Sequence, residues 1–191
     1  MLKRMLIHDQ RLNGNPPRIA QNIYSFPGTT TTHHVASWVG RYAASQRGLD
    51  DLIIMCHGYA RMNQSTLPGL DSPDGATGLA LGTPGLSPEN TSLAQLWSGK
   101  IRRIVIFACG VAAQSHSSSN PRFDGHRFCG EIALHSGAEV IAADKLQWYN
   151  PAHHGFIDFG RWEGRVYSFD GHTGMGIPLP EGFGPHFHRL W

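Results

Sequence analysis

The chain has 191 residues, of which 40% are hydrophobic and 16% are charged, so it can bury a core and is not a disordered chain. Its 23 Gly and 12 Pro argue against an all-helical bundle, because so many turn-forming residues interrupt long helices. The formal charge of +2 is too small for the basic surface of a nucleic-acid-binding protein. An odd count of three Cys argues against a disulfide framework, so each thiol is considered separately as buried, metal-bound or catalytic.

No address signal is recognisable at the start of the chain. Lys3 and Arg4 are followed by no apolar run of signal-peptide length, and no stretch reaches the roughly 18 apolar residues that a membrane span needs. The sequence therefore predicts a cytoplasmic protein with neither a membrane nor a nucleic acid as partner. Export by a system that uses no signal peptide stays open.

In chain order, the first regular element predicted is a helix. A short apolar run at 5–8 and a turn-rich link at 11–17 come before it. Residues 29–32 offer N-cap candidates for this helix. The apolar positions that follow share one helical face: Val35, Trp38, Val39, Tyr42 and Ala43. We expect the helix to end near Gly48.

Three later runs each contain a continuous apolar stretch without polar alternation, which is typical of strands buried on both faces of a parallel sheet. They lie at 51–56, 101–108 and 140–143. The connections expected between the first two runs are a loop, a short strand and a helix, at 59–77, 79–81 and 88–97. A Ser-rich loop at 114–121 and a helical stretch closed by Gly137 lead to the third run.

Strands that alternate with helices imply parallel crossover connections. We therefore expect an α/β fold, a three-layer sandwich with a mostly parallel central sheet and helices on both faces. The aromatic-rich runs at 156–162 and 165–169 are interpreted as a β-hairpin attached to this sheet. The chain is expected to form a single domain over residues 1–191, with its core at about 18–145 and a C-terminal extension at 146–191.

The ends of the first two buried strands carry reactive residues. Residues 56–58 are Cys-His-Gly, and residues 108–110 are Ala-Cys-Gly. Because functional groups gather where parallel strands end, we expect His57 and Cys109 to emerge close together. The thiolate is the reactive form of cysteine, and a neighbouring imidazole accepts the thiol proton. The backbone N–H groups of Gly58 and Cys109 are candidates for binding an oxyanion.

The other cysteines and most histidines have ordinary explanations. Cys56 points away from the side of His57 if the strand period continues, and Cys129 lies in an apolar helical stretch, so both are expected to be buried. The His pairs at 33–34 and 153–154 direct neighbouring side chains apart, and the cysteines have no Cys-x-x-Cys spacing. We therefore expect no metal and no cofactor.

The two strand-end blocks resemble a known signature. A hydrophobic block that ends in His-Gly at 52–58, followed by a second that ends in Ala-Cys at 104–109, is similar to the signature of the caspase-like cysteine peptidases. Residues 107–113 and 137–144 also look like a caspase-like domain found in large bacterial surface and secreted proteins.

This resemblance covers residues 50–145 and implies a caspase-haemoglobinase fold. It implies that His57 is the general acid/base and Cys109 the nucleophile, with the backbone of Gly58 and Cys109 forming the oxyanion site. In the resembling peptidases, the pocket for the residue before the cut is built from the neighbourhood of Asp144. Asp144 is therefore a candidate for selecting a basic residue there, and a solvated turn carboxylate is the alternative.

The function expected from these features is that of a cysteine endopeptidase with a Cys/His dyad and a protein or peptide substrate. By analogy, a short chain of this kind indicates a bacterial effector or toxin, whose partners would include a cognate inhibitor, immunity or delivery protein. Two alternatives stay open. One is a deamidase or acyltransferase that uses the same dyad, and the other is a caspase-like binding module without turnover.

Overall fold

The centre of the protein is a largely parallel β-sheet. The computed structural model describes residues 2–63, 72–116 and 119–181. In spatial order, the sheet in this part of the chain contains β2 (Asn22–Phe26), β1 (Arg4–Asp9), β3 (Leu49–Met55), β6 (Ile101–Phe107), β7 (Glu139–Ala143), β10 (Val166–Phe169) and β11 (Gly176–Pro178). The five strands β2, β1, β3, β6 and β7 run parallel to one another, whereas β10 is antiparallel to β7 and β11 is antiparallel to β10. The carboxyl ends of β1, β3, β6 and β7 therefore share one edge of the sheet, which we call the carboxyl edge.

Four further strands form two small antiparallel sheets. The first pairs β4 (Gly58–Asn63) with β5 (Ser72–Leu79), and the second pairs β8 (Asn150–His153) with β9 (Phe156–Asp158). The β4–β5 pair begins directly after His57, so it rises from the carboxyl edge. The region predicted as the loop 59–77 therefore contains strand structure, and the short strand predicted at 79–81 is wrong because β5 already ends at Leu79.

Both α-helices have a side-chain cap at the N-terminus, and α2 also ends at a left-handed glycine. Helix α1 (Thr32–Ser45) starts after Thr31, whose hydroxyl accepts a hydrogen bond from the His34 N–H at 3.1 Å. Helix α2 (Gly125–Ser136) starts after Asp124 and ends at Gly137, which adopts a left-handed conformation with φ of 67°. A 3-10 helix spans Thr91–Trp97, and a shorter one spans Pro121–Phe123. Within the described ranges, no helix combines the length and apolarity needed to cross a membrane.

Alternating residues of the central strands feed two apolar cores, one on each face of the sheet. Leu52 and Ile54 of β3 pack on the same side as both α-helices and Trp97. Ile53 and Met55 pack on the opposite side. The layer there is not helical in the described part of the chain. It is formed mainly by side chains outside the central sheet: Leu12, Ile157, Phe159 and Trp162.

Two expectations about these layers are therefore wrong. Helices on both faces were expected, but both α-helices cover one face, because aromatic and aliphatic side chains of the C-terminal segment already bury the other. The hairpin between 156–162 and 165–169 is absent, since β9 pairs with β8 and β10 pairs with β7 and β11. Strand β10 gains burial on both faces by joining the main sheet, which a separate hairpin does not offer.

The strongest sequence signals are confirmed. The three predicted buried strands are β3, β6 and β7, and the two predicted helical stretches near Thr31 and Gly137 are α1 and α2. The helix predicted at 88–97 is the 3-10 helix. The sheet also includes strands on both sides of the predicted core range of 18–145, namely β1 before it and β10 and β11 after it.

Candidate active site

The register of β3 and β6 brings the two predicted reactive residues to one place on the carboxyl edge. Met55 of β3 is the partner of Phe107 of β6 in parallel register. His57 and Cys109 each follow two residues later. The chains stay in contact there, because a Cβ atom at Gly58 would collide with the carbonyl oxygen of Cys109. Gly58 is thus required for this close approach of the two backbones, whatever else its N–H group does.

The ring of His57 is exposed and oriented by the backbone of a distant segment. Its Nε2 atom lies 3.1 Å from the carbonyl oxygen of Arg11. A carbonyl oxygen only accepts hydrogen bonds, so this contact requires the hydrogen on Nε2 and leaves Nδ1 as the basic nitrogen. Arg11 lies two residues after the end of β1, the neighbour of β3 on the other side. The group that orients His57 is thus a main-chain carbonyl, which no side chain in the sequence marks.

The thiol of Cys109 is held by the loop that follows β7. The backbone N–H of Gln147 donates to the Cys109 sulfur at 3.4 Å, and the sulfur lies 3.6 Å from the Gln147 carbonyl oxygen. A backbone N–H directed at the sulfur stabilises negative charge on it. Cys109 is partly exposed.

Gln147 itself is buried, and its side chain links two loops by hydrogen bonds. Its side-chain Nε2 donates to the carbonyl oxygens of Lys145 and Glu163, each at 2.9 Å, and its Oε1 accepts from the Glu163 N–H at 3.2 Å. Glu163 also accepts from the Trp148 N–H at 3.2 Å, and burial raises the pKa of its carboxyl group. No sequence pattern marked Gln147, because its role depends on backbone partners in another loop.

The other two thiols differ from Cys109 in burial. All three cysteines lie in the described ranges, and Cys56 and Cys129 are fully buried. Burial raises the pKa of both thiols well above the ordinary value, so the reactive thiolate is strongly disfavoured at each. The prediction that Cys56 and Cys129 are buried thiols is confirmed.

Several residues near the predicted oxyanion and substrate sites already have backbone partners. Gly110, next to Cys109, donates its N–H to the Lys145 carbonyl at 2.8 Å and is thereby occupied. Gly58 and the Cys109 backbone adjoin one another as described above, and their role in binding an oxyanion stays a prediction. Asp144 follows β7 at the same edge, where its Oδ1 accepts from the Arg165 N–H at 2.9 Å. One carboxylate oxygen of Asp144 thus binds the main chain just before β10, and the proposed contact of Asp144 with substrate stays a prediction.

Metal ligation finds no support at this edge. In the ranges 2–63, 72–116 and 119–181, no group of three or more His, Cys, Asp or Glu side chains is arranged to hold a metal ion. The ring of His57 and the sulfur of Cys109 both have backbone partners instead.

The fold and site together define a mixed α/β protein with a Cys and a His at the carboxyl edge of a largely parallel sheet. No protein-family model matches the chain, and a search of the curated proteins returns no match. A functional assignment therefore depends on the geometry of this edge and on the resemblance of its two strand-end blocks.

Proposed function

We propose that the protein is a cysteine endopeptidase of the caspase-like type, with Cys109 as nucleophile and His57 as general acid/base. The observation that carries the proposal is the register of β3 and β6, which sets the residues that follow Met55 and Phe107 side by side. The resemblance of these blocks to the caspase-like peptidases supports the same assignment. The caspase-haemoglobinase fold is part of this proposal.

The proposed reaction gives each of these groups one role. His57 uses Nδ1 to take the thiol proton, while its Nε2–H stays bonded to the Arg11 carbonyl. The Cys109 thiolate forms a bond to the scissile carbonyl carbon, and the carbonyl electron pair moves to the oxygen. The N–H groups of Gly58 and Cys109 would donate hydrogen bonds to the resulting oxyanion. The C–N bond then breaks, and the amine leaves with the proton from His57. Water hydrolyses the thioester, and the thiol is restored.

The choice of Cys109 over the other thiols is supported by access and by ionisation. Cys109 is partly exposed, whereas Cys56 and Cys129 have no exposed surface. A buried thiol with a raised pKa neither reaches a protein substrate nor supplies a thiolate. The substrate is a protein or peptide, and Asp144 is the candidate for selecting a basic residue before the cut. An effector or toxin acting on a specific target protein is the role that the analogy favours.

The experiment is a search for new protein termini in a whole proteome treated with the enzyme. Wild type is compared with Cys109→Ala and with Cys129→Ala, a matched control in which a buried thiol is removed from α2. We expect the same new termini with wild type and Cys129→Ala and none with Cys109→Ala. A change in partner mass that depends on Cys109 without any new terminus would replace the peptidase by a deamidase or acyltransferase. Binding without either change would indicate a silent module.

A further inference from the structure

The carboxylate of Asp9, at the carboxyl end of β1, lies at the centre of a hydrogen-bond network next to His57. Asp9 is fully buried. Its carboxylate accepts from the Arg11 N–H at 3.0 Å and from the Gly82 N–H at 2.9 Å. It also binds the Arg11 guanidinium through Nε at 2.9 Å and Nη2 at 2.6 Å. These charge-assisted hydrogen bonds hold the buried carboxylate in one position.

Asp9 holds both peptide units that flank the Cα atom of Arg11. The N–H of Arg11 is bound by the Asp9 carboxylate. The next peptide unit contains both the Arg11 carbonyl and the Leu12 N–H, and this N–H donates to the Asp9 backbone oxygen at 2.9 Å. The Arg11 carbonyl therefore has a fixed direction, and it is the group that orients His57.

The same carboxylate fixes a second segment that holds the main chain of His57. The His57 carbonyl accepts from the Ala80 N–H at 2.8 Å. Two residues later, both backbone groups of Gly82 bind the Asp9–Arg11 pair: its N–H donates to Asp9, and its carbonyl accepts from Arg11 Nη2 at 2.8 Å. The network thus reaches the ring of His57 through Arg11 and the backbone of His57 through residues 80–82.

We propose that Asp9 is a positioning residue that holds His57 in its reactive orientation through the Arg11 carbonyl and the 80–82 segment. Asp9 touches neither substrate nor the reacting atoms. As a statement about catalysis, this inference rests on the function proposed above. Burial opposes ionisation of Asp9, but the hydrogen bonds from Arg11 and Gly82 outweigh it and lower its pKa, so the carboxylate is charged at neutral pH.

An Asn at this position cannot reproduce the network, although its size is almost the same. Asp9 receives donors on both carboxylate oxygens, so either orientation of an Asn amide directs its NH2 group at another donor. Asp9→Asn is therefore expected to loosen the Arg11 carbonyl and to release Gly82. The guanidinium of Arg11 is partly exposed and turns to solvent, which limits the loss of stability.

The chain offers a matched control in Asp51, a second buried carboxylate. Asp51 is 2% exposed and pairs with Arg4 at 2.9 Å and with Arg103 at 2.8 Å. It lies in β3 towards the opposite edge of the sheet from His57. Asp51→Asn breaks a comparable ion pair and leaves the carboxyl edge unchanged.

The test is the rate at which iodoacetamide alkylates Cys109, followed by peptide mass mapping between pH 5.5 and pH 9. At the acid end of this range, a thiol with the reference pKa of about 8.5 is almost entirely protonated, so rapid alkylation there reports a thiolate supported by His57. Wild type, Asp9→Asn, His57→Ala, the double variant of these two, and Asp51→Asn are compared, each shown to be folded by circular dichroism. If Asp9→Asn does not fold, Asp9→Asn with Arg11→Gln takes its place, because it leaves no unpaired guanidinium.

We expect Asp9→Asn to slow alkylation at the acid end by about 10- to 100-fold and to move the pH profile towards that of His57→Ala. Because Asp9 acts through His57, the double variant is expected to be no slower than His57→Ala alone. Asp51→Asn is expected to match wild type. A wild-type profile for Asp9→Asn, or an equal slowing by Asp51→Asn, would overturn the role of Asp9 alone. Equal rates for wild type and His57→Ala would instead contradict the proposed function.

Discussion

The two edges of the central sheet each contain a buried carboxylate paired with arginine, and the two pairs do different work. At the amino side of β3, Asp51 is the register partner of Arg4 on β1 and of Arg103 on β6, so it ties three adjacent strands together. At the carboxyl edge, Asp9 binds backbone N–H groups in two loops, and those loops hold His57.

The difference shows that burial and ion pairing alone do not indicate whether a carboxylate supports the candidate active site. Asp9 and Asp51 are almost equally buried, and each forms a close ion pair with arginine. The two carboxylates differ in the groups that they bind. Asp51 binds arginine side chains on neighbouring strands, whereas Asp9 also binds backbone N–H groups in the loops around a candidate catalytic residue. The following variants test that separation, from the largest expected effect to the smallest.

His57→Ala is expected to have the largest effect on reactivity. Loss of the general base should reduce the rate at which a peptidyl acyloxymethyl ketone modifies Cys109 by about 100-fold or more. The control is His33→Ala, because His33 is an exposed residue in the first turn of α1. Unchanged modification of the His57 variant, measured by intact mass against time, would remove His57 from the site.

Asp51→Asn is expected to have the largest effect on stability. The change removes the buried carboxylate charge that pairs with Arg4 and Arg103, and we expect a loss of about 3 kcal/mol in the free energy of unfolding, measured with urea. Asp9→Asn is expected to cost less, because the side chain of Arg11 is 37% exposed and finds water. We therefore expect Asp51→Asn to be the less stable variant and Asp9→Asn to be the variant with the less reactive Cys109. A greater loss of stability for Asp9→Asn would contradict this account of the two edges.

Gly58→Ala tests the close approach at the carboxyl edge. The added methyl group collides with the Cys109 carbonyl, so the backbone has to move. Gly137→Ala is the control: its Cβ meets no atom within 4 Å, and it pays only for the left-handed conformation, about 1–2 kcal/mol. We expect Gly58→Ala to be the less stable of the two in urea and to slow alkylation of Cys109. Equal stability with normal alkylation would show that the two backbones are not closely packed.

His8 should give the smallest effect, a pH dependence of stability. The buried ring lies 2.7 Å from the Leu12 carbonyl through Nε2 and 3.0 Å from Ser25 Oγ through Nδ1. Burial lowers the pKa of His8, although the Leu12 carbonyl and Asp9 oppose this shift.

The sign of this pH dependence follows from the lowered pKa. The unfolded chain takes up a proton on His8 near the reference pKa of about 6.5, and the folded protein does so only at lower pH. Stability from His8 is therefore present above about pH 6.5 and is lost as the pH falls towards the folded pKa. Urea titrations at several pH values should show a flatter acid side for His8→Gln than for His33→Gln. Identical slopes would contradict the assignment.

The sequence was most informative where a strand is buried on both faces. The runs at 51–56 and 101–108 each end in a continuous apolar stretch, so their ends, and with them His57 and Cys109, could be located. Strand β1 was not predicted, because its short apolar run continues into His8 and Asp9. Both of these polar residues are buried and satisfied by hydrogen bonds that no local pattern reveals.

The rest of the site depends on contacts between distant backbone groups. Arg11 and His57 are 46 residues apart, and Cys109 and Gln147 are 38 apart. In each pair, one partner contributes a main-chain atom, which any residue type has, so its side chain carries no signal. The C-terminal aromatics were misread for a related reason: Phe159 and Trp162 cover a face of the sheet and contact Phe107, a role that their local spacing does not distinguish from a hairpin.

The most direct test of the central claim is to find which thiol a peptide-based electrophile modifies in the folded protein. Wild type is treated with a peptidyl acyloxymethyl ketone, digested and mapped, with a urea-unfolded sample treated with iodoacetamide to show that all three cysteine peptides are detected. We expect an adduct on Cys109 and none on Cys56 or Cys129, because Cys109 alone among the three cysteines, all of which lie in the described ranges, is partly exposed. Modification of Cys56 or Cys129 while Cys109 stays inert would contradict the account.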